Sequence, residues 1–394
     1  MKRLFLLYAF LFPFIIQAQT LKTDVLIIGS GDAALASGIQ SYKSGVKTLI
    51  LTQSTGFSSQ KSAVKQSIAV QNLFKTLAAW EVKKLNKPIE QTSKSKAKNT
   101  KKPIDSAAFL DVVNNVKYTE IKRSGNGWAL NLSDGLDIKA KILVLAHEPA
   151  KLVAALKINE LAPAKTEVLN YNDNLYRTTI SRLNTTESRY LSLYNLLIPN
   201  QENLLFIPPG NVEIGQAAGA TAAYSAFFDT KTSLSNLKRI QGELLSYKLA
   251  LMPFEDVKAA DSNWLALQKV GITGILKADI KNGKAFFNPE LEVTYDEIKQ
   301  PIKDYYYKAQ IWFDDNKNIP INLVNTITLV CYVGNKAIDA TTNEIEKKWK
   351  KNYKFSSKYD LKKVLTRREF SVIINEYLKP FDEVNVDKTG RVIR

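Results

Sequence analysis

Six consecutive residues, Gly29-Ser30-Gly31-Asp32-Ala33-Ala34, have the types and spacing of a turn that holds an anion. The first glycine permits a tight turn, the second lets a diphosphate approach the backbone, and the small third position lets a helix pack closely on its strand. Free N–H groups and the dipole of that helix favour negative charge at the turn. On the N-terminal side, Asp24-Val25-Leu26-Ile27-Ile28 is a continuous apolar run suited to a strand buried on both faces. A helix is predicted from about Ala33 to Ser44, stopping at Gly45, and Thr48-Leu49-Ile50-Leu51 reads as a second strand, completing a βαβ unit. Thr52 stands where an acidic residue would bind ribose hydroxyls, and its single hydroxyl should weaken that grip by roughly 1–3 kcal/mol. Asp32 puts a carboxylate beside the phosphates, where it would repel them.

Other reactive side chains are few. His147 is the sole histidine; it ends the apolar strand Lys141-Ile142-Leu143-Val144-Leu145-Ala146 and is the candidate general acid or base. A hydrogen-bonded structural histidine is the competing reading, with Glu148 beside it as a cap for the next segment. Arg177, in Tyr176-Arg177-Thr178-Thr179, is a candidate contact for an anionic substrate. Cys331 is the only cysteine, so an intrachain disulfide or a redox-active cysteine pair cannot exist. It lies in Thr328-Leu329-Val330-Cys331-Tyr332-Val333, a β-type apolar run, and reads as a buried inert thiol. One histidine and one cysteine give no metal site by spacing, and nothing resembles a nucleophile elbow.

The elements that must position the turn emerge from the chain's organisation. Lys2 and Arg3 precede an apolar run from Leu4 to Ile16, the layout of a signal peptide over residues 1–19, so the chain is expected to be exported to the periplasm or beyond, with no transmembrane span left in the mature protein. Residues 20–252 read as one α/β domain. Within it, helices are predicted from Leu73 to Leu85 and from Ser106 to Asn114, and a flexible lysine-rich insertion lies at about 86–103. A Gly125-Asn126-Gly127 turn joins the hairpin strands Tyr118–Lys122 and Trp128–Leu132. Downstream come the strand Leu204-Leu205-Phe206-Ile207, the turn Pro208-Pro209-Gly210 and a helix of small residues from Gly215 to Ala223, which implies close backbone approach. Much of the positive excess behind the net charge of +17 sits in the lysine-rich run with few aromatics near it, which argues against a nucleic-acid partner.

In three blocks the chain resembles the FAD-dependent oxidoreductases of the glutathione-reductase-like two-dinucleotide fold, particularly exported bacterial members with a C-terminal extension. Val25 to Thr52 is similar to the family's N-terminal FAD motif, Asp134 to Glu148 to its later sheet strand, and Asn203 to Ala223 to its closing flavin-contacting strand and helix. The resemblance implies a Rossmann-like FAD/NAD(P)-binding three-layer α/β fold with a β-meander. It further implies FAD as cofactor, with Gly29, Ser30, Gly31, Ala33 and Ala34 at the diphosphate and Thr52 at the adenosine. Ala146, Gly210, Gly215, Gln216 and Ala217 would then lie towards the ribityl chain and isoalloxazine. The family's acid at Thr52 and its Ala-Thr-Gly at Ala146-His147-Glu148 are replaced, and the substrate region is shortened.

Residues 253–394 are expected to form a separate, mainly helical module. Phe254, Trp264, Gly271-Ile272-Thr273-Gly274-Ile275 and Phe287-Asn288-Pro289 resemble an S-layer-homology unit, with a partial echo at Leu365-Thr366-Arg367-Arg368-Glu369-Phe370. That likeness implies contact with an envelope glycan or protein. Three functions stay open: an exported FAD-dependent oxidoreductase of unknown substrate, a non-catalytic envelope binding or scaffold protein on a relict flavin fold, and a surface-attachment module whose active part is the C-terminal region.

Overall fold

The computed structural model describes residues 20–54, 110–146, 150–158, 161–208 and 210–394. The expected signal peptide, the helix at 73–85, the insertion at 86–103, and His147 and Glu148 lie outside the described residues. Strand β1 (Thr20–Gly29) runs through the glycine turn into helix α1 (Asp32–Lys43) and on to β2 (Thr48–Leu51) and β3 (Leu110–Val113). Strands β4 (Tyr118–Ser124) and β5 (Gly127–Leu132) form the expected hairpin, followed by β6 (Asp137–Ala146) and the short helix α2 (Ala150–Ala155). Then come β7 (Glu167–Val168), β8 (Thr179–Asn184), β9 (Ser188–Ser192), α3 (Leu193–Leu196), β10 (Leu197–Ile198) and β11 (Gln201–Ile207). Helices α4 (Val212–Phe227) and α5 (Leu237–Ser246) complete this part.

The main sheet has the order β10-β11-β6-β1-β2-β3, with the β4–β5 hairpin joined to β6. Strands β3, β2, β1, β6 and β11 are mutually parallel. Alternate residues of β1 leave opposite faces: Val25 and Ile27 pack with α1 and α4, and Leu26 and Ile28 pack with Trp128, Leu130 and Ile138 of the meander. Helices, sheet and meander make three layers, a Rossmann-like FAD/NAD(P)-binding architecture. The helix expected from Ser106 to Asn114 is corrected over its described part. Leu110-Asp111-Val112-Val113 is a strand, because β2 offers an open ladder that two valines suit.

The C-terminal part contains α6 (Trp264–Thr273), the hairpin β12 (Asp279–Lys281) and β13 (Lys284–Phe286), α7 (Tyr295–Tyr305) and α8 (Tyr307–Asp315). It continues with α9 (Leu323–Gly334), α10 (Ile338–Lys351), α11 (Arg367–Tyr377), α12 (Pro380–Glu383) and the closing strands β14 (Asn385–Val386) and β15 (Val392–Ile393). Thr294 and Thr366 each close a capping box, on α7 and α11. The β-type reading around Cys331 is corrected: Asn322 caps the start of α9, Asn335 ends it in a left-handed conformation, and the apolar run between is helical with Cys331 buried. One hydrophobic cluster runs from Ala33 of α1 through Leu251 and Phe254 to Phe381 of α12. None of the helices among the described residues is long and apolar enough to cross a membrane.

Helices α1 and α4 meet almost backbone to backbone. A Cβ on Gly215 would lie 2.3 Å from the carbonyl oxygen of Ala33, and one on Gly219 would lie 2.3 Å from that of Ser37. The hydroxyl of Ser41 donates to the Gly219 carbonyl at 3.0 Å, fastening the contact. We predict that Gly219→Ala, which must push the helices apart, lowers unfolding stability by about 1–3 kcal/mol. Gly242→Ala on α5, where a methyl meets nothing within 4 Å, should be neutral or stabilising by up to about 1 kcal/mol. Urea denaturation of the two variants compares them directly.

Candidate functional site

The carboxyl ends of the central strands converge. Gly29 is paired with Ala146, and Ala146 with Ile207, so the ends of β1, β6 and β11 lie side by side. The chain leaves β1 through α1 towards β2 on one side, while β6 lies on the other. This is a switch point, where open α/β sheets bind ligands. Both α1 and α4 begin here, and Gly215 in the first turn of α4 rests on Ala33 in the first turn of α1.

The turn itself has the backbone a diphosphate cradle requires. Gly31, at φ 98° and ψ −176°, is the N-cap of α1 and supplies no side chain to the helix start. Among the described residues, a Cβ at Gly31 would meet nothing within 4 Å. The first bond of α1 runs from the Leu35 N–H to the Gly31 carbonyl at 3.2 Å. The amides of Asp32, Ala33 and Ala34 therefore have no carbonyl within the helix to meet. Ala33 and Ala34 are buried, their small side chains allowing α1 to settle on the sheet. These residues fit the diphosphate of a dinucleotide. Asp32, the first residue of α1, departs from that fit: its Oδ1 is sealed from solvent without a hydrogen-bond partner among the described residues. Burial raises its pKa above the usual carboxylate value. By linkage, Asp32 favours the folded state in acid and loses that contribution as pH rises through its folded pKa.

The remaining expected contacts are disposed differently. Thr52 is 1% exposed and its hydroxyl accepts the Ser54 N–H at 3.1 Å, just after the end of β2. Gln216, also 1% exposed, donates from Nε2 to Oε1 of Gln40 at 3.0 Å, and Ala217 is fully buried beside it. Gln40 in turn reaches Ser44 at 3.2 Å and Glu243 at 3.4 Å, so a polar chain runs inside the α1, α4 and α5 contact. Gly210, at φ 79°, turns the chain between β11 and α4 over open space among the described residues. Arg177 is 7% exposed and is engaged far from the turn: it donates to the carbonyls of Thr273 at 2.8 Å and Gly390 at 3.2 Å. Arg367 is likewise buried, ion-paired with Glu297 at 3.4 Å.

Sequence reasoning did not single out a neighbouring cleft of about 510 Å³, lined by Lys165, Thr166, Leu183, Arg189, Asn211 and Ile214. It lies at the start of α4, and its walls come from segments far apart in the chain, without a local motif. Asn211 is the one member with a readable signal, an Asn placed to cap a helix; its Oδ1 accepts the Ile214 N–H at 2.9 Å.

The fold and this edge define the architecture as a Rossmann-like α/β fold. Comparison with known proteins finds no matching family model and no matching curated protein. Among solved structures the chain is similar to a bacillithiol disulfide reductase from Staphylococcus aureus, at 16% identity over 32% of this chain and 39% of that one, with a TM-score of 0.20. A thioredoxin reductase from T. acidophilum aligns at 17% identity over 32% of this chain and 35% of that one, with a TM-score of 0.20. A cyclohexanone monooxygenase aligns at 12% identity over 33% of this chain and 28% of that one, with a TM-score of 0.22. The chain thus spans well under half the length of the structures it matches.

Asn211→Ala should cost about 0.5–2 kcal/mol of stability by uncapping α4. Asn211→Ser should recover most of it, and thermal unfolding of the pair is the measurement.

Proposed function

We propose that this chain binds FAD at the β1–α1 turn and acts as a flavin-dependent oxidoreductase. The observation that supports this reading most is the glycine turn: among the described residues Gly31 leaves open space above the backbone, and the first amides of α1 have no carbonyl partner in the helix. In this reading the amides of Asp32, Ala33 and Ala34 hold the diphosphate, and Ala33 and Ala34 keep α1 close enough to β1 for those amides to converge. The α4 start, fixed on Ala33 through Gly215, closes the other side of the crevice. A bound flavin would supply the redox chemistry, and the protein supplies position and exclusion of water. The cleft at Lys165, Arg189 and Asn211, at the start of α4, offers space for a substrate, with Arg189 already engaged by Glu187 and Thr166.

A second reading, a non-catalytic scaffold on the same fold, is favoured by one observation: the Thr52 hydroxyl and the Gln216 amide both face inward, onto protein partners. One experiment separates the two. The full chain is incubated with FAD, passed through a desalting column and examined for a flavin absorbance spectrum and for flavin fluorescence released on denaturation. Retained flavin near one per chain, lost in Gly31→Val with the far-UV circular dichroism unchanged, is the expected result. A folded, colourless wild-type protein at saturating FAD defeats the flavoprotein reading and leaves the scaffold.

A further inference from the structure

Asp32 is the one group at the turn that opposes an anion, and its surroundings point to how the conflict is resolved. It belongs to no ion pair among the described residues, and its Oδ1 has neither water access nor a donor. Among the described residues, the elements around the first turn of α1 bring no counter-charge. On α4, Glu213 interacts with Arg182. On β1 and β6, Asp24 pairs with Lys141 at 2.9 Å, five residues before the glycine turn. Lys43 sits at the far end of α1, over the Tyr247 ring at 5.6 Å. Asp111 of β3 accepts the N–H of Val112 at 2.8 Å. Burial is the cause of the raised Asp32 pKa, with no opposing charge to lower it.

We infer that a diphosphate enters this cradle together with one proton, which Asp32 takes from solvent. The carboxylate becomes a neutral carboxyl, its O–H donates to a phosphate oxygen, and the residue changes from a repelling acceptor into one more donor beside the α1 amides. This rests on the FAD-binding reading and adds to it a proton-coupled regulation of the same site. The sign comes from the two states. Bound phosphate raises the carboxyl pKa beyond its value in the free protein, so between those two values binding takes up a proton and acid favours the complex. Affinity should then improve by about tenfold for each unit of falling pH within that window, and level off below it.

The test uses the full chain and FAD, whose diphosphate does not itself titrate in the range examined. Dissociation constants are measured across a pH series, and calorimetry in two buffers of different ionisation heat counts the protons taken up. The expected result is uptake approaching one proton by the wild type. Asp32→Asn, always neutral and still able to donate, should bind independently of pH, at least tenfold more tightly than wild type at neutral pH and with no proton uptake. Wild-type binding with flat pH dependence and no proton uptake overturns the inference while leaving FAD binding intact. So does an Asp32→Asn protein that keeps the wild-type slope. Failure of both proteins to bind FAD at any pH overturns the inference and the flavin reading together. The proton count on the wild type stands even if the variant folds poorly.

Discussion

The contact between α1 and α4 is the constraint on which the rest of the molecule depends. Two carbonyls of α1, those of Ala33 and Ser37, lie where a side chain on α4 would need to be, and only glycine at positions 215 and 219 leaves them room. Backbone approach of this kind binds the first helix after the sheet to the long closing helix of the α/β layers, far away in the chain. It also fixes the start of α4 over the start of α1. The crevice at the strand ends therefore takes its width from the packing of Gly215 on Ala33.

That contact carries its own polar cost. Burying Gln216 and Gln40 between helices demands partners for both amides, and the chain from Gln216 through Gln40 to Ser44 and Glu243 answers most of the demand. The Gln216 Oε1 is left without a partner among the described residues. A network of this type specifies one rotational setting of α4 on α1, because turning either helix by one residue would strand several polar atoms at once. The position of the glycine turn relative to Gly210 and Asn211 is set in the same way. The C-terminal helices then continue the same hydrophobic cluster, with Arg177 bridging to the carbonyls of Thr273 and Gly390.

Legibility in the sequence tracked the physics of each segment. The β1–α1–β2 unit was readable because an unbroken apolar run, a glycine turn and a helix stop coincide within about thirty residues, each forced by local sterics. The hairpin at Gly125-Asn126-Gly127 was readable for the same reason. Leu110–Val113 was not, since a short apolar run suits either period and only the open edge of β2 decides it. The run around Cys331 went the other way: β-branched residues suggested a strand, while the caps Asn322 and Asn335 at its two ends mark a helix. The direction in which Gln216 and Thr52 point depends on how Gln40 and the segment after β2 are placed, and no local pattern encodes it. The cleft beside α4 is invisible in the same way, being a product of how β9, the 164–166 segment and Asn211 come together.

The two departures at the turn differ in kind. A hydroxyl at Thr52 in place of a carboxylate removes a favourable contact with a nucleoside and leaves the site weaker but unchanged in logic. The Thr52 hydroxyl is instead buried at the end of β2, accepting the Ser54 amide. The carboxylate at Asp32 would change the logic itself, because it would add an unfavourable term at the place where the proposed diphosphate sits. Of the two, only the second can be reversed by solution conditions, since a hydroxyl does not titrate and a desolvated carboxyl does. If the turn binds FAD as proposed, the charge state of one residue, the first of α1, would therefore govern its diphosphate grip, while Thr52 would offer the nucleoside little.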